Sequence, residues 1–238
     1  MATSGENSLN VVHQHQTFQD FIEKWTAQLR NFLGDLVATI RDASADNTGL
    51  IKRVMDHYEE YFQVKSYWVK QDVLQMFNPT WATPLEYAFS WIAGWRPLLA
   101  IHLLYTLAGF QLDDLVTEHG LEVPTDWLTL SPVQVARVGE LHSRIVEEEK
   151  VISEEKESVV RIVELNEERV DAVFREKEEG LERVVRRADE LRLSTFKEIV
   201  EVLMPSQGVR FLVAAVEFQF GLHDWGRRME ANMAGGGV

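Results

Sequence analysis

The stretch SPVQVARVGELHSRIVEEEKVISEEK, from Ser131 to Lys156, decides the fold class. Ser131 followed by Pro132 predicts a helix start, because serine caps the first turn and proline is tolerated at the first helical position. No further proline occurs up to Arg187, and charged side chains dominate this region. An unbroken helix of this length would measure roughly 85 Å at 1.5 Å per residue. We therefore predict one long, highly charged helix that either projects or breaks, with Gly180 as the expected break.

This long helix has few apolar residues along any one face. Ile145, Ile152 and Val159 lie seven residues apart. This spacing is typical of an amphipathic helix packed on its own domain, and also of the seam of a coiled-coil homodimer. The sequence leaves both interpretations open.

The rest of the chain also indicates helices. From Thr17 to Ile40 apolar residues recur at steps of three and four, which is the period of one helical face. Thr17 and Asp20 form a weak capping box at its start. Further helices are predicted over residues 48–77, from 84, 97–108, 191–204 and 207–229. No stretch shows sustained period-two alternation, so we predict an all-α, multi-helix bundle. A single domain is expected over residues 17–230, between flexible tails at 1–16 and 231–238.

The composition restricts the classes of partner. The chain has 238 residues, a formal net charge of -14 and no cysteine. Direct binding to nucleic acid or to an anionic membrane is not expected, because both need a basic surface. The densest basic patch, Arg183 to Arg187, is interleaved with acidic residues that include Asp189, and we interpret it as a solvated helix face. The lack of cysteine excludes disulfides and thiolate metal sites and suits a reducing compartment.

No group of residues in the sequence indicates catalysis or metal binding. The histidines are scattered and form no HExxH pattern, and no Gly-x-Ser-x-Gly elbow or phosphate loop occurs. The glutamate run Glu147 to Glu149 is expected to be solvated, whereas a general acid needs a desolvated carboxyl group. We therefore expect a chain that is not an enzyme and has no metal site.

Aromatic residues are concentrated in one short segment. This segment either contributes bulky side chains to the core or lines an apolar pocket for a ligand. The residues that would line the pocket are Phe77, Trp81, Tyr87, Trp91 and Trp95.

Three segments together resemble the delay-of-germination domain of land plants. The first contains PTWATPLE at residues 79–86 and WIAGWRP at 91–97. The second begins with LSPVQ at 130–134 and ends with IVEEEK at 145–150. The third begins with PSQG at 205–208 and ends with HDWG at 223–226. The same domain forms the C-terminal half of TGA-type basic leucine-zipper (bZIP) transcription factors. The resemblance implies a regulatory adaptor in seed dormancy, abscisic-acid or developmental signalling that works in the nucleus, the cytoplasm or both.

The resemblance also implies a partner and a surface that binds it. Dormancy proteins of the family bind type 2C protein phosphatases through the N-terminal helix. The matching residues here are Asp20, Phe21, Ile22 and Trp25. Phe21 and Trp25 are expected either to be exposed aromatic anchors or to face the core. A second implied role is that of a transcription cofactor which reaches DNA through a bZIP partner.

The resemblance finally implies two small ligands. Family dormancy proteins bind haem through two histidines four residues apart on the last helix. His223 matches one of them, and Gln219 occupies the position of the other. Domains of the TGA type hold a fatty acid in an apolar cavity, and the aromatic segment is the matching position here.

Overall fold

The computed structural model describes residues 17–41, 46–109, 128–161 and 170–235, and these residues contain eight α-helices and no strand. The helices in chain order are α1 (Phe18–Arg41), α2 (Asn47–Gln71), α3 (Val73–Phe77), α4 (Pro84–Ala88), α5 (Leu98–Leu107), α6 (Pro132–Val160), α7 (Val170–Val202) and α8 (Pro205–Gly235). The all-α prediction is confirmed. The predicted N-terminal tail, residues 1–16, lies outside the described residues.

Three helices begin with the capping that their sequences predict. At α1 the Asp20 amide donates to the Thr17 hydroxyl and the Thr17 amide donates to the Asp20 carboxylate, both at 3.1 Å. Thr83 before α4 and Ser131 before α6 form the same reciprocal capping box, each with proline at the start of the helix. These side chains satisfy amides that the first turn leaves without partners.

The long charged stretch does break, but the expected position is wrong. α6 ends at Val160 and α7 begins at Val170, whereas Gly180 lies inside α7. The two helices pack on each other more extensively than any other described pair. A Cβ atom on Gly180 would lie 2.8 Å from Cγ1 of Val159. The glycine therefore permits the two helices to approach closely. The sequence alone does not distinguish a glycine with this role from one that ends a helix.

The seven-residue repeat of α6 faces its own domain. Ile145 and Ile152 are buried, and Val159 packs against the same core. The interpretation as an amphipathic helix on its own domain is confirmed. The alternative, a homodimer seam through these positions, is wrong because the apolar side chains are already covered within the chain.

α1 and α8 bring the two ends of the described chain together. α1 buries Phe18, Phe21, Trp25, Leu29 and Leu36 on one face and packs against α2 and α8.

Two predicted boundaries differ from the structure. The helix expected over 191–204 is the second half of α7, and α8 continues to Gly235, beyond the predicted helix end at 229.

The second predicted helix, over 48–77, is interrupted at Asp72. Its carboxylate accepts the Gln75 amide at 2.9 Å and so starts α3 as a separate short helix. The capping side chain of Asp72 therefore starts a new helix, although the apolar residues continue at helical spacing on both sides of it.

Within the described ranges, no helix has the length and apolar character needed to cross a bilayer. The same residues contain no group of three or more histidine, cysteine, aspartate or glutamate side chains that could hold a metal ion.

Candidate functional site

A strained loop, residues 91–97, joins the segment after α4 to α5. Ile92 and Ala93 have φ values of 45° and 58°, in the left-handed region that non-glycine residues rarely adopt. Each such residue costs on the order of 1–3 kcal/mol and persists only where its surroundings hold it. The loop is closed by a hydrogen bond of 2.6 Å from the Trp91 amide to the Gly94 carbonyl.

The buried guanidinium of Arg192 holds this loop from α7. Its Nε donates to the Trp95 carbonyl at 2.6 Å, and its Nη2 donates to the carbonyls of Trp91 and Ile92. Its Nη1 donates to Asp189 Oδ1 at 2.5 Å. Arg192 is completely buried. One side chain therefore satisfies three backbone carbonyls and fixes the shape of the loop.

Lys65 on α2 completes the cluster. Its Nζ donates to the Ala93 carbonyl at 2.7 Å and to Asp189 Oδ1 at 2.8 Å. Burial lowers the pKa of Lys65 to about 8, a net value that includes an opposing effect of Asp189 and a further lowering effect of the Arg192 charge. Asp189 is 7% exposed. The prediction that Asp189 belongs to a solvated face is therefore wrong, because its carboxylate is buried and accepts hydrogen bonds from two buried cations.

Glu149 on α6 has a similar structural role at the other end of the loop. It accepts Arg96 Nε at 2.5 Å and the Leu98 amide at 2.7 Å, so it pairs with a cation and caps the start of α5. Glu149 is 1% exposed, whereas Glu147 is exposed. The predicted solvation is therefore wrong for Glu149. Its carboxylate is fully engaged in holding α5.

α4 docks on α8 through residues of two different sequence motifs. His223 Nδ1 lies 3.0 Å from Glu86 Oε2, and this carboxylate also accepts the Thr83 amide. A Cβ atom on Gly226 would lie 2.2 Å from the Thr83 hydroxyl. Glycine is needed at 226 because α4 and α8 touch there.

This geometry fits His223 as a single haem ligand. A carboxylate on Nδ1 orients the ring and leaves Nε2 as the nitrogen that faces a metal, which is the usual arrangement of ligating histidines. Gln219 lies where a second ligand would be, and its Oε1 accepts the Tyr58 hydroxyl at 3.4 Å. His223 would therefore be the one histidine that holds a haem here, and Gln219 would not complete a histidine pair. Haem binding stays a prediction.

The five aromatic residues assigned to a pocket contact different neighbours. Trp81 packs edge-on against Phe18 with ring centroids 4.9 Å apart, and Trp95 packs against Phe196 at 5.0 Å. The Arg192 guanidinium lies 5.4 Å from the Trp91 ring. Trp81, Trp91 and Trp95 all pack against the hydrophobic core. These contacts favour the core interpretation for the three tryptophans.

Of the other two residues of the aromatic segment, Phe77 also packs against the core, and only Tyr87 is exposed. Lys156 Nζ is 5.9 Å from the ring centroid of Phe77, and Tyr87 is 54% exposed. A fatty-acid cavity among the five residues stays a prediction.

The structure places two of the α1 residues expected to bind a partner in the core, and not on the surface. Phe21 and Trp25 are 3% and 5% exposed, so the expectation of exposed aromatic anchors is wrong for both. Trp25 stacks on His57 with centroids 4.8 Å apart, and its indole N–H donates to the His57 carbonyl at 3.0 Å. Asp20 and Ile22 are half-buried. Partner binding by α1 stays a prediction, and it would have to use the outward face.

One face of α8 carries several exposed apolar side chains, and the sequence did not identify this face as a site. We call this face the α8 stripe. It consists of Phe218, Trp225, Met229 and Met233, which are exposed, and of Leu222, which is half-buried. Phe218 and Trp225 are 51% and 56% exposed. The signal in the sequence was that Leu222 and Trp225 fall out of register with the buried residues earlier in the helix. That irregularity marked a second face.

Comparisons with known proteins relate the sequence to one family. The family model for DOG1, described as seed dormancy control, matches residues 14–106. Protein DOG1-like 4 of Arabidopsis thaliana is 30% identical over 232 residues, which cover 90% of this chain and 93% of the relative. Protein DOG1-like 2 of the same plant is 28% identical over 204 residues, or 79% of each chain. Transcription factor TGA6 of Arabidopsis thaliana is 27% identical over 245 residues, which cover 97% of this chain and 65% of the factor. The chain belongs to the DOG1 family of seed dormancy control proteins.

Proposed function

We propose that this chain is a non-enzymatic regulator of seed dormancy that acts by binding partner proteins. The proposal is supported by membership of the DOG1 family and by the similarity to a transcription factor. The observation that carries it is the α8 stripe. Large apolar side chains are exposed on this face. The buried charges of the domain, in contrast, are engaged in holding its own loop and helices.

The geometry of the α8 stripe suits recognition of a protein. Its members follow one another at steps of three and four and therefore lie on one face. They extend over roughly 22 Å of helix at 1.5 Å per residue. Contiguous apolar surface on a helix is typical of helix-in-groove recognition, and tryptophan is the residue that most often dominates such contacts. Trp225 is therefore the expected energetic centre.

Two classes of partner follow from the resemblance, a type 2C phosphatase in abscisic-acid signalling and a bZIP transcription factor. With a bZIP partner the chain would reach DNA indirectly. This agrees with a net charge of -14, which opposes direct contact with phosphates. Either partner places the protein in the nucleus, the cytoplasm or both.

Binding to a purified type 2C phosphatase and to a purified TGA-type factor tests the proposal. We expect Trp225→Ala with Met229→Ala to weaken binding at least about tenfold, or 1.4 kcal/mol. Phe174→Ala is the matched control, because it removes a 59% exposed aromatic side chain from α7. Equal affinity of the double variant and the parent chain for both partners would contradict the role of the α8 stripe.

A second candidate function, sensing of a small ligand, is favoured by the contact of His223 with Glu86. Haem would supply an iron centre whose ligation responds to gases or redox state. Titration of the chain with haem should give a Soret shift that His223→Ala abolishes and His142→Ala retains. Mass spectrometry of solvent-extracted protein tests the fatty-acid alternative. An unshifted Soret band and an extract without lipid would remove this function.

A further inference from the structure

Two residues with a hydroxyl side chain precede a proline in this chain, and each starts a helix with a capping box. They are Thr83 before α4 and Ser131 before α6. Thr83 is 2% exposed, and its hydroxyl donates to Glu86 Oε2 at 2.9 Å. Ser131 and Pro132 are both exposed. The two positions are alike in sequence, but only the Ser131 hydroxyl is accessible to an enzyme.

The Ser131 hydroxyl is also weakly engaged. Its Oγ accepts the Gln134 amide at 3.3 Å, and no residue of the described ranges accepts its proton. Ser131 has φ -70° and ψ 157°, the extended conformation that a following proline favours. The three residues before it, 128–130, belong to no helix. An accessible hydroxyl at the end of an extended segment is the form in which protein kinases bind their targets.

We propose that Ser131 is phosphorylated by a protein kinase that selects proline after its target residue. In this reaction Ser131 Oγ forms a bond to the γ-phosphorus of a nucleoside triphosphate, and the bond from that phosphorus to the bridging oxygen breaks. A base of the kinase takes the hydroxyl proton, and the nucleoside diphosphate leaves. Pro132 has no amide N–H, so it suits an apolar kinase pocket that contains no acceptor. The inference does not depend on the proposed function.

The surroundings of Ser131 favour a negative charge. Gln134 lies in the first turn of α6, and its Nε2 donates at 2.7 Å to Oε1 of Gln207 in the first turn of α8. The N-terminal ends of two helices therefore meet here, and each carries roughly half a positive charge. Neither first turn contains an acidic residue. Gln134 Nε2 also donates at 2.9 Å to the Val202 carbonyl, so it engages a carbonyl of the α7 C-terminal end that would oppose the phosphate.

A phosphate group would strengthen the start of α6. It carries a charge of about -2 at neutral pH, and its oxygens can accept the amides of Val133 and Gln134. These charge-assisted bonds replace the long contact of 3.3 Å that the hydroxyl makes. We therefore expect phosphorylation of Ser131 to raise the melting temperature of the chain by about 2–4 °C.

Treatment of the purified full chain with MgATP and a proline-directed kinase tests the inference. One mitogen-activated and one cyclin-dependent protein kinase are used, and the modified residues are identified by mass spectrometry of peptides. We expect a phosphate on Ser131 and none on Thr83. Ser131→Asn should abolish this modification. Asparagine retains a capping side chain, so circular dichroism of this variant should show that its helices are retained.

Two further variants show what the kinase recognises. Pro132→Ala keeps the hydroxyl and should lower the rate of phosphorylation about tenfold or more. Ser143→Ala is the matched control and should leave the rate unchanged, because Ser143 is an exposed serine of the same helix that no proline follows. A chain that neither kinase modifies at Ser131 overturns the inference, as does modification of Thr83 to the same extent. A phosphorylated chain that melts below the parent overturns the stabilising role of the phosphate.

Discussion

Replacing Arg192 by methionine removes the side chain that holds the 91–97 loop. Methionine has a similar length and keeps most of the packing of the apolar stem. The change leaves three backbone carbonyls without their donor and leaves Lys65 as the remaining described cation on Asp189. Removing one partner of a buried ion pair typically costs 3–5 kcal/mol. Relaxation of the left-handed residues in the loop returns part of this cost, so we expect about 4 kcal/mol of destabilisation.

Urea unfolding followed by circular dichroism measures this loss of stability. Arg183→Met is the control, because Arg183 is an exposed residue of the same helix, and it should change the unfolding free energy by less than about 0.5 kcal/mol. Arg192→Lys should fall between the two, because lysine keeps the charge but not the planar fork of donors. A loss below about 1 kcal/mol for Arg192→Met would refute the assignment of the loop to this guanidinium.

Three further substitutions or conditions test other contacts. Burial lowers the pKa of His57 below its ordinary value of 6.5. The contribution of the neutral imidazole to stability is therefore complete above pH 6.5 and is lost as the pH falls below that value. Urea midpoints measured at two pH values should show this loss, and His57→Gln should reduce the difference between them. Gly226→Ala should destabilise by about 1–3 kcal/mol through its clash with Thr83, measured by thermal unfolding. Gly180→Ala should not give the usual gain in stability of about 1 kcal/mol for alanine in a helix, because the new methyl group would meet Val159. In the Val159→Ala background the same substitution should give that gain. A double-mutant cycle measures the difference.

Local rules in the sequence predicted the local structure well. Thr17, Thr83 and Ser131 each start a helix because the capping side chain and the amides it satisfies lie within four residues of each other. The apolar period of α1 likewise identified its buried face. Such features depend on neighbours along the chain, and the sequence contains all the information needed to recognise them.

Contacts between distant segments could not be predicted in the same way. Glu149 and Asp189 stand among other charged residues on helices that appear wholly solvated, and only tertiary packing selects these two for burial. Gly180 has the same ambiguity, because a glycine that ends a helix and a glycine that admits a neighbouring helix are identical in the sequence. The apolar α8 stripe was missed because an apolar residue that is out of register with a buried face, such as Leu222 or Trp225, does not show in the sequence whether another helix covers it.

The side chain that holds the 91–97 loop is synthesised long after the loop itself. About one hundred residues separate Trp91 from Arg192, and a ribosome adding roughly 5–20 residues per second needs about 5–20 s to translate them. Throughout that interval Ile92 and Ala93 have no guanidinium to offset their backbone strain, and the tryptophans around them lack their α7 neighbours. The segment matched by the family model, residues 14–106, therefore does not include the side chain that holds the loop.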